Sequence, residues 1–292
     1  IRIIPVLFIK NGLIVRSQLF KYHQAIGDPI PTIKRLSDWG VDEIVLINIS
    51  KNSQLDSRRD DKWHNIGNSN LRDLVKETST YCFAPLTVGG GIRNLKQIED
   101  LFKFGADKCM LNTALFESEK FVKEAIKNFG SQAIVGSIDI KSDQNQEQFV
   151  YTNNGKKNTG LNLRAAIEHC KKLEVGEIFI SSIDYDGSAK GYDPSILDNL
   201  SKYSSTPIII NSGAVTADHF IKALKYESIT GLSASNTFYF TELSYPKLKQ
   251  QILIKSEKAN IRKFNLDSSV IKRDLEYDPE QKKELLYKSN KN

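Results

Sequence analysis

The sequence of 292 residues predicts an α/β fold, a single closed (βα)8 TIM barrel built of two similar halves and followed by a charged helical extension. Strand-like apolar runs alternate with amphipathic helical stretches eight times along the chain. Three segments of the first half recur in the same order in the second half, about 120–135 residues later. Two halves of four strands each favour a closed barrel over an open doubly wound sheet.

The candidate strands are continuous runs rich in Val, Ile and Leu, as expected for parallel strands that are covered on both faces. In chain order they are residues 2–9, 43–49, 83–88, 108–111, 133–138, 177–181, 207–210 and 229–233. Helical spacing of apolar residues lies between them, for example over residues 95–104 and 163–173. We expect the barrel to span residues 1–255 and the helical extension to span residues 256–292.

The internal repeat exposes one difference between the two halves. IIPVLFIK at residues 3–10 matches IVGSIDIK at residues 134–141, which aligns Phe8 with Asp139. GVDEIVLINIS from Gly40 matches EVGEIFISSID from Glu174, and the TVGGGI segment from Thr87 matches the segment from Ile209. One half therefore ends its first strand in a benzene ring where the other half carries a carboxylate.

Composition excludes several classes of protein. The net charge is +6, and residues 247–292 hold +5 of it, with Lys and Glu interleaved and no aromatic platform. This pattern favours a solvated helix over nucleic-acid binding. The sequence has no run of about 18 apolar residues, so we expect no membrane span. Three cysteines without a CxxC pair and four histidines without ligand spacing predict a reducing cytoplasm, no metal site and no cofactor.

A long polar segment follows the second predicted strand. Residues 50–70 read SKNSQLDSRRDDKWHNIGNSN and show no periodicity. In a barrel, a loop after a strand lies on the C-terminal face, where active sites are built. The sequence leaves two interpretations open, a solvated insertion and a lid over a substrate.

Glycine-rich turns and small polar residues cluster after strands in both halves. Gly90 and Gly91 lie in TVGGGI, and Asn112 and Thr113 end the next strand. The second half supplies a corresponding set of small and polar residues, Asp186, Gly187, Ser212, Gly213, Ser235 and Asn236. Exposed backbone N–H groups at such turns bind phosphate. The sequence thus predicts two phosphate sites on the rim, although glycines also serve tight turns.

Together these residues resemble a known family, the cyclase subunit of imidazole glycerol phosphate synthase. The resemblance covers about residues 1–250 and rests on RIIPxLxxKxG from Arg2, GDP from Gly27, TVGGGI, GADK, IDIK, GKKNTG from Gly155 and GYD. The sister isomerase of the same pathway shares the two-half architecture and lacks a GKKNTG-type segment. The combination of motifs is therefore more specific than the fold.

The resemblance implies roles for residues at the mouth of the barrel. In the family, ammonia attacks a ribonucleotide with phosphates at both ends, and two aspartates act as general acid and base. Asp139 matches the second aspartate, Phe8 replaces the first, and Asn48 stands where the family has another acidic residue. Lys10 and Arg16 are expected to line the mouth. A structural role for Asp139, capping a loop or pairing with Lys141 or Lys10, stays open.

At the opposite end of the barrel, the family has a ring of four charged residues that gates the entrance for ammonia. The matching residues are all present: Arg2, Glu43, Lys108 and Glu177. Asp107 matches a residue that the family uses at its interface with a glutaminase. Charges at the N-terminal face of a barrel also act as plain structural elements, so a structural plug is the alternative.

These matches suggest a branch of the family whose members carry an apolar residue in place of the first aspartate. That branch belongs to surface-polysaccharide gene clusters and is thought to supply ammonia for acetamidino sugars. The sequence therefore suggests a lyase or synthase-type subunit that forms a heterodimer with a glutaminase and binds a phosphorylated ligand. A sugar amidotransferase is the further partner that this branch suggests. An active cyclase of histidine biosynthesis is the alternative, and a scaffold that only activates the glutaminase is the third hypothesis.

Overall fold

A computed structural model describes residues 1–50, 71–145, 147–200, 206–256 and 258–262. Its strands are β1 Arg2–Lys10, β2 Leu13–Gln18, β3 Tyr22–Gly27, β4 Ile44–Asn48, β5 Leu86–Gly89, β6 Lys108–Leu111, β7 Ile134–Ser142, β8 Gln148–Thr152, β9 Lys157–Asn158, β10 Glu177–Ser182, β11 Ile208–Asn211 and β12 Ile229–Ala234. The polar segment beyond Ser50, up to residue 70, for which an insertion and a lid both stayed open, lies outside the described residues, as does the extension from residue 263 onward.

Eight of these strands form a closed parallel barrel, as the sequence predicts. The order around the barrel is β1, β4, β5, β6, β7, β10, β11 and β12. Closure follows from pairing of β1 with both β4 and β12, and of β7 with both β6 and β10. The predicted (βα)8 fold is therefore confirmed.

Helices cover the outside of the barrel. They are α1 Pro29–Asp38, α2 Leu71–Thr78, α3 Leu95–Lys103, α4 Thr113–Glu117, α5 Glu119–Phe129, α6 Leu163–Leu173, α7 Pro194–Leu200, α8 Ala217–Ala223 and α9 Ser244–Lys255. Local sequence sets where they begin: the Asn94 and Gln97 side chains form a capping box at α3, and the Asn162 side chain accepts from the Ala165 N–H at α6.

Two short strand pairs on the C-terminal side are absent from the sequence prediction. β2 pairs with both β1 and β3, and β8 pairs with both β7 and β9, in each case antiparallel. The signals for these turns are Asn11–Gly12 and residues 153–155, all with positive φ. Asn-Gly between apolar runs is a strong hairpin signal, because both residues tolerate the left-handed conformation. The hairpins also extend β1 and β7 beyond their predicted ends.

The predicted start of the third barrel strand is wrong. The strand begins at Leu86 and not at residue 83. Phe83 is 87% exposed, and Pro85 has no N–H to donate to a ladder. The three residues form a connection on the N-terminal face, where the carbonyl of Pro85 accepts from the Ile44 N–H at 2.8 Å.

The middle of the barrel interior is apolar. Side chains that point inward form one buried cluster, comprising Ile4, Val6, Phe8, Val15, Val45, Met110, Val135, Phe179 and Ile209. Such layers of inward side chains make a packed core in this fold and not an open pore. A polar molecule therefore meets mainly hydrocarbon in the middle of the barrel, and the buried polar side chains of Ser181, Asn211 and Ser233 lie closer to the C-terminal end.

Beyond α9 the chain returns to the start of β1. The Arg262 N–H donates to the Ile1 carbonyl at 2.8 Å, and the Ile1 ammonium group donates to the Asn260 carbonyl at 2.7 Å. Ile261 is buried. The first described residues of the predicted extension thus contact the barrel. None of the helices in the described ranges is long and apolar enough to cross a membrane.

Candidate active site

Asp139 lies at the C-terminal end of the barrel, on the inner side of β7. It is 8% exposed, and its Oδ2 accepts a hydrogen bond from Nδ2 of Asn112 on the neighbouring strand end at 3.1 Å. Burial raises the pKa of Asp139 to about 7, and the negative charge of Asp186 adds to the shift. A carboxyl group with such a pKa can both accept and donate a proton near neutral pH.

Among the described residues, neither Lys141 nor Lys10 forms the ion pair with Asp139 that the sequence left open. The Lys141 ammonium lies 5.5 Å from the ring centroid of Tyr151, and Nζ of Lys10 lies 3.3 Å from Nδ1 of His23. Lys10 also lies outside the described lining of the two mouth cavities defined below. The Lys10 side chain lies beside His23, which does line the first cavity, and a role for Lys10 at the mouth stays a prediction.

Phe8 occupies the C-terminal end of the first barrel strand, at the position that the internal repeat aligns with Asp139. Its ring is 4% exposed and packs edge-to-face against Phe20, with 6.3 Å between centroids. Phe20 follows β2 in a turn where Leu19 and Phe20 both have positive φ. Neither ring can transfer a proton, so this side of the mouth is apolar.

Asn48 is neutral and already engaged. Its Oδ1 accepts from the Ser50 N–H at 3.0 Å, and the residue is buried at the end of β4. Its backbone also limits the neighbouring turn, because a Cβ on Gly90 would lie 2.0 Å from the Asn48 carbonyl oxygen. With φ at +102°, Gly90 is a position that only glycine fits.

The first rim cluster shares one cavity with Asp139. Gly90, Gly91, Asn112 and Thr113 all line this cavity of about 110 Å³, together with Phe8 and Phe20. The Thr113 hydroxyl accepts from the Asn153 N–H at 3.2 Å, which ties it to the β8–β9 turn. The structure thus brings the four predicted residues together beside the candidate carboxyl group.

The second rim cluster lines a different cavity of about 330 Å³. Its lining includes every residue predicted for the second half, Asp186, Gly187, Ser212, Gly213, Ser235 and Asn236, together with Arg16 from β2. The Ser212 hydroxyl and Oδ1 of Asn236 are buried and have no hydrogen-bond partner in the described structure. Buried polar atoms without partners cost free energy, so they indicate a place where a ligand or water completes the hydrogen bonding.

Asp186 has a role that the sequence does not reveal. Its Oδ2 accepts from the Ser17 hydroxyl at 2.6 Å and from the Phe20 N–H at 3.1 Å. Burial raises the pKa of Asp186, and these two hydrogen bonds oppose the shift. The carboxylate therefore anchors the β2–β3 hairpin across the mouth.

The four charged residues at the N-terminal face form a closed ring. The Arg2 guanidinium contacts the carboxylates of both Glu43 and Glu177, and Nζ of Lys108 lies 2.8 Å from Glu177 and 3.5 Å from Glu43. Burial opposes the charge on Glu177, but its hydrogen bond to Arg2 and the two nearby cations keep its pKa below the usual range. Asp107, on the same face, accepts from the Leu86 N–H at 2.7 Å.

Several residues of the first cavity were missed by sequence reasoning. Phe20 and His23 belong to the β2–β3 hairpin, and Asn154 to the β8–β9 turn, neither of which the apolar periodicity predicts. Arg93 lines the same cavity after TVGGGI. The Asn11–Gly12 dipeptide was the one signal that could have located the hairpin.

Asp139→Asn is expected to stabilise the protein at high pH. The folded state holds a proton up to a pH of about 7, whereas the unfolded chain releases it near 3.8, so stability falls as pH rises between these values. Asparagine keeps an oxygen acceptor for Asn112 and has no proton to lose, so its stability does not fall as the pH rises. Urea unfolding at pH 8 is expected to show the variant more stable by about 1–3 kcal/mol, with little difference at pH 4. An equal difference at both pH values would contradict this origin.

Comparisons with known proteins agree with the geometry. The family model described as "Histidine biosynthesis protein" matches residues 2–244. The chain is 33% identical over 251 residues to the imidazole glycerol phosphate synthase subunit HisF of Bacillus cereus (strain Q1), which covers 86% of this chain and 95% of that protein. The subunits of that name from strains ATCC 10987 and AH187 are 33% and 32% identical over the same length.

Proposed function

This chain belongs to the histidine biosynthesis protein family, and on that premise we propose that it is a cyclase-like subunit that receives ammonia from a glutaminase. The glutaminase docks on the N-terminal face of the barrel, where Asp107 contributes to the interface. Ammonia passes along the apolar interior to the C-terminal mouth. There it serves the amidation of a sugar precursor in surface-polysaccharide biosynthesis.

The observation that carries the proposal is the contrast between the two ends of the barrel. At the mouth, Phe8 stands where a second carboxylate would be needed, and Asn48 is neutral. At the opposite end, all four charges of the ring are present and in contact. Loss of the reaction chemistry with retention of the entrance fits a subunit that still transfers ammonia.

The interior supports transfer of a small neutral molecule. Hydrocarbon side chains fill the barrel between the ring and the mouth, and burial of an ion without a partner there would cost several kcal/mol. Neutral ammonia avoids this cost, whereas ammonium does not. The ring must open for entry, and Lys108 and Arg2 are its more exposed members.

The acceptor is proposed from the apolar residue at the first aspartate position. RIIPVLxxKNG with such a residue is typical of the second-copy branch in polysaccharide gene clusters, and a separate sugar amidotransferase would then receive the nitrogen. We further propose a barrel over residues 1–255, an appended segment over residues 256–292, and a location in the cytoplasm.

An active cyclase of histidine biosynthesis is the second candidate function. The specific observation in its favour is Asp139, whose pKa of about 7 suits one group that serves as acid and base in turn. A non-catalytic scaffold that activates the glutaminase is the third candidate, and it requires only the N-terminal face.

One experiment separates the three candidates. The purified chain is assayed with the aminoimidazole-carboxamide ribonucleotide and ammonium salt, and in parallel with a glutaminase from the same genome and glutamine. We expect stimulation of the glutaminase and no cyclisation above background. Cyclisation that collapses in Asp139→Asn would establish the second candidate, and failure to bind or stimulate a glutaminase would exclude the first and third.

Lys108→Met is expected to reduce the transfer of ammonia between the two subunits. Methionine keeps the length of the side chain and removes the cation that bridges Glu177 and Glu43, so that Arg2 is the one cation left in the four-residue ring. We expect the share of glutamine nitrogen that reaches the C-terminal mouth to fall several-fold. An amine-reactive trapping reagent in the bulk solvent measures the leaked share, and Lys123→Met on the outer face of α5 is the matched control. Equal leakage from both variants would favour the structural plug.

A further inference from the structure

One face of the small sheet formed by β1, β2 and β3 lines part of the first cavity, the one that contains Asp139. Phe8 pairs with Val15 across β1 and β2, and Ser17 pairs with His23 across β2 and β3. Directly opposed residues share a face of a sheet, and so do residues two positions apart on one strand. Phe8, Ser17 and His23 therefore belong to one face, and all three line the cavity.

His23 is one of two side chains in this cavity that titrate in the ordinary pH range. Among the described residues of the lining, the charged or titratable ones are His23, Arg93 and Asp139. Arginine keeps its proton in proteins, which leaves the imidazole and the carboxyl group. The imidazole lies on the same face as Phe8, so this face supplies a second titratable group although position 8 does not.

Lys10 sets the protonation of the His23 ring. It lies two positions after Phe8 on the same face of β1, and its Nζ is 3.3 Å from Nδ1 of His23. An ammonium group can only donate, so Nδ1 accepts and the proton of the neutral ring lies on Nε2. Burial lowers the pKa of His23, and the charge of Lys10 lowers it further. Near neutral pH the ring is therefore uncharged, and its Nε2–H remains as a donor.

Asp139 provides the complementary group. The Ser17 hydroxyl, opposite His23 in the hairpin, donates to Asp186, and the charge of Asp186 is close enough to raise the pKa of Asp139. A short chain of contacts thus connects the strand of the imidazole with the carboxyl group. Two titratable groups in one cavity, one a carboxyl with a pKa of about 7 and the other an uncharged imidazole, suit a paired acid and base.

We propose that His23 and Lys10 form a proton relay that acts with Asp139 when ammonia adds to a carbonyl carbon in the first cavity. The inference rests on the proposed function in one respect, that ammonia reaches this mouth. It goes beyond that function because it gives the mouth an addition reaction of its own, carried by the hairpin and not by position 8. His23 and Asp139 are the catalytic residues, and Lys10 resupplies the proton.

The step balances without any further reactant. The nitrogen of ammonia bonds to the carbonyl carbon while the π electrons of the C=O bond move to oxygen. Nε2 of His23 gives its proton to that oxygen as Nδ1 takes one from Lys10, and the Asp139 carboxylate removes a proton from the new ammonium group. The product is a neutral carbinolamine, which loses water to give an imine. Solvent then returns the proton from Asp139 to Lys10.

The test uses dihydroxyacetone phosphate as the carbonyl probe, with ammonium chloride and with cyanoborohydride to trap the imine as an amine. Mass spectrometry of the amine measures the rate with and without the full chain. We expect the wild type to exceed the protein-free rate by about 10²-fold or more, the usual contribution of a well-placed acid–base group. A wild type that gives no acceleration would overturn the proposal, whatever the variants do.

His23→Gln and Asp139→Asn are each expected to lose most of this acceleration, because each removes one end of the proton transfer. His219→Gln is the matched control and should keep the wild-type rate, since Nδ1 of His219 accepts from the Val215 N–H outside the cavity lining. A folded His23→Gln variant that is as fast as the wild type would show that the imidazole takes no part.

Lys10→Arg separates the supply of a proton from simple positioning. Arginine keeps a donor cation beside His23 but does not release its proton. We therefore expect Lys10→Arg to be as slow as Lys10→Met, and a wild-type rate for Lys10→Arg would contradict the relay.

NMR of histidine-labelled protein gives an independent check on the ring, with His23→Gln to assign its signal. We expect the Nε2–H tautomer in the wild type at neutral pH. Lys10→Met should raise the pKa of His23, because the Lys10 charge that lowers it is gone. An Nδ1–H tautomer in the wild type, or a pKa of His23 that does not move in Lys10→Met, would contradict the assigned contact.

These measurements use ammonium salt and no glutaminase. Failure to stimulate a glutaminase would therefore contradict the proposed function without affecting the relay. The absence of acceleration in a chain that does stimulate a glutaminase would remove the relay alone.

Discussion

Phe8→Asp is expected to raise cyclisation of the aminoimidazole ribonucleotide by about 10²–10⁴-fold over the wild-type background, which is the usual contribution of one general acid–base group. The substitution places a carboxyl group on the first barrel strand, in the cavity that already contains Asp139. It also removes the contact between the Phe8 and Phe20 rings, which enlarges the first cavity. Steady-state formation of product with ammonium salt measures the effect.

Phe8→Asn is the control for Phe8→Asp. Both variants lose the same packing against Phe20 and Val15, and each is expected to cost about 3–5 kcal/mol of stability, as large-to-small substitutions in cores do. Only the aspartate can transfer a proton. A gain in rate that is equal in the two variants would show that access and not acid–base chemistry limits the reaction. No gain in either, with both folded, would contradict the role assigned to this position.

The eight barrel strands could be predicted because each is a local pattern. Continuous runs of Ile, Val and Leu identify buried parallel strands, and the internal repeat identifies two halves that close on one another. The ring of Arg2, Glu43, Lys108 and Glu177 followed from the family resemblance. Its place at the N-terminal face was predictable because each residue begins a strand or, like Glu43, directly precedes one, and parallel strands begin at one face. Such placement needs no knowledge of side-chain contacts.

The anchoring of the β2–β3 hairpin across the mouth could not be predicted in the same way. Asp186 contacts Ser17 across 169 positions of sequence, and nothing near either residue signals this bond. The contact of Asn112 was equally hidden in the sequence. This residue was predicted to bind phosphate, whereas its side-chain amide donates a hydrogen bond to Asp139 on the neighbouring strand. Both contacts depend on which strand ends are neighbours at the mouth, which is a property of the closed barrel.

Lys249→Met is expected to cost about 3–5 kcal/mol of stability, the usual penalty for removing one partner of a buried ion pair. Lys249 lies on α9 and is fully buried, and its Nζ is 2.7 Å from Oδ1 of Asp42. Oδ2 of Asp42 accepts from the Ile3 N–H at 2.8 Å. The pair thus joins the last described helix to the first strand, and methionine would leave the carboxylate buried without its cation.

Thermal unfolding is expected to shift down by roughly 10 °C for Lys249→Met, at about 2–4 °C per kcal/mol for a domain of this size. The double variant Asp42→Asn with Lys249→Met is the decisive comparison. Asparagine keeps an acceptor for the Ile3 N–H and removes the charge. Replacing both partners of a buried ion pair by neutral residues often changes the free energy of unfolding very little. We therefore expect the double variant to regain most of the loss. If the double variant is as unstable as Lys249→Met, the ion pair does not hold α9 to β1. The lysine would then act through its contact with the Tyr245 ring, whose centroid lies 5.2 Å from Nζ.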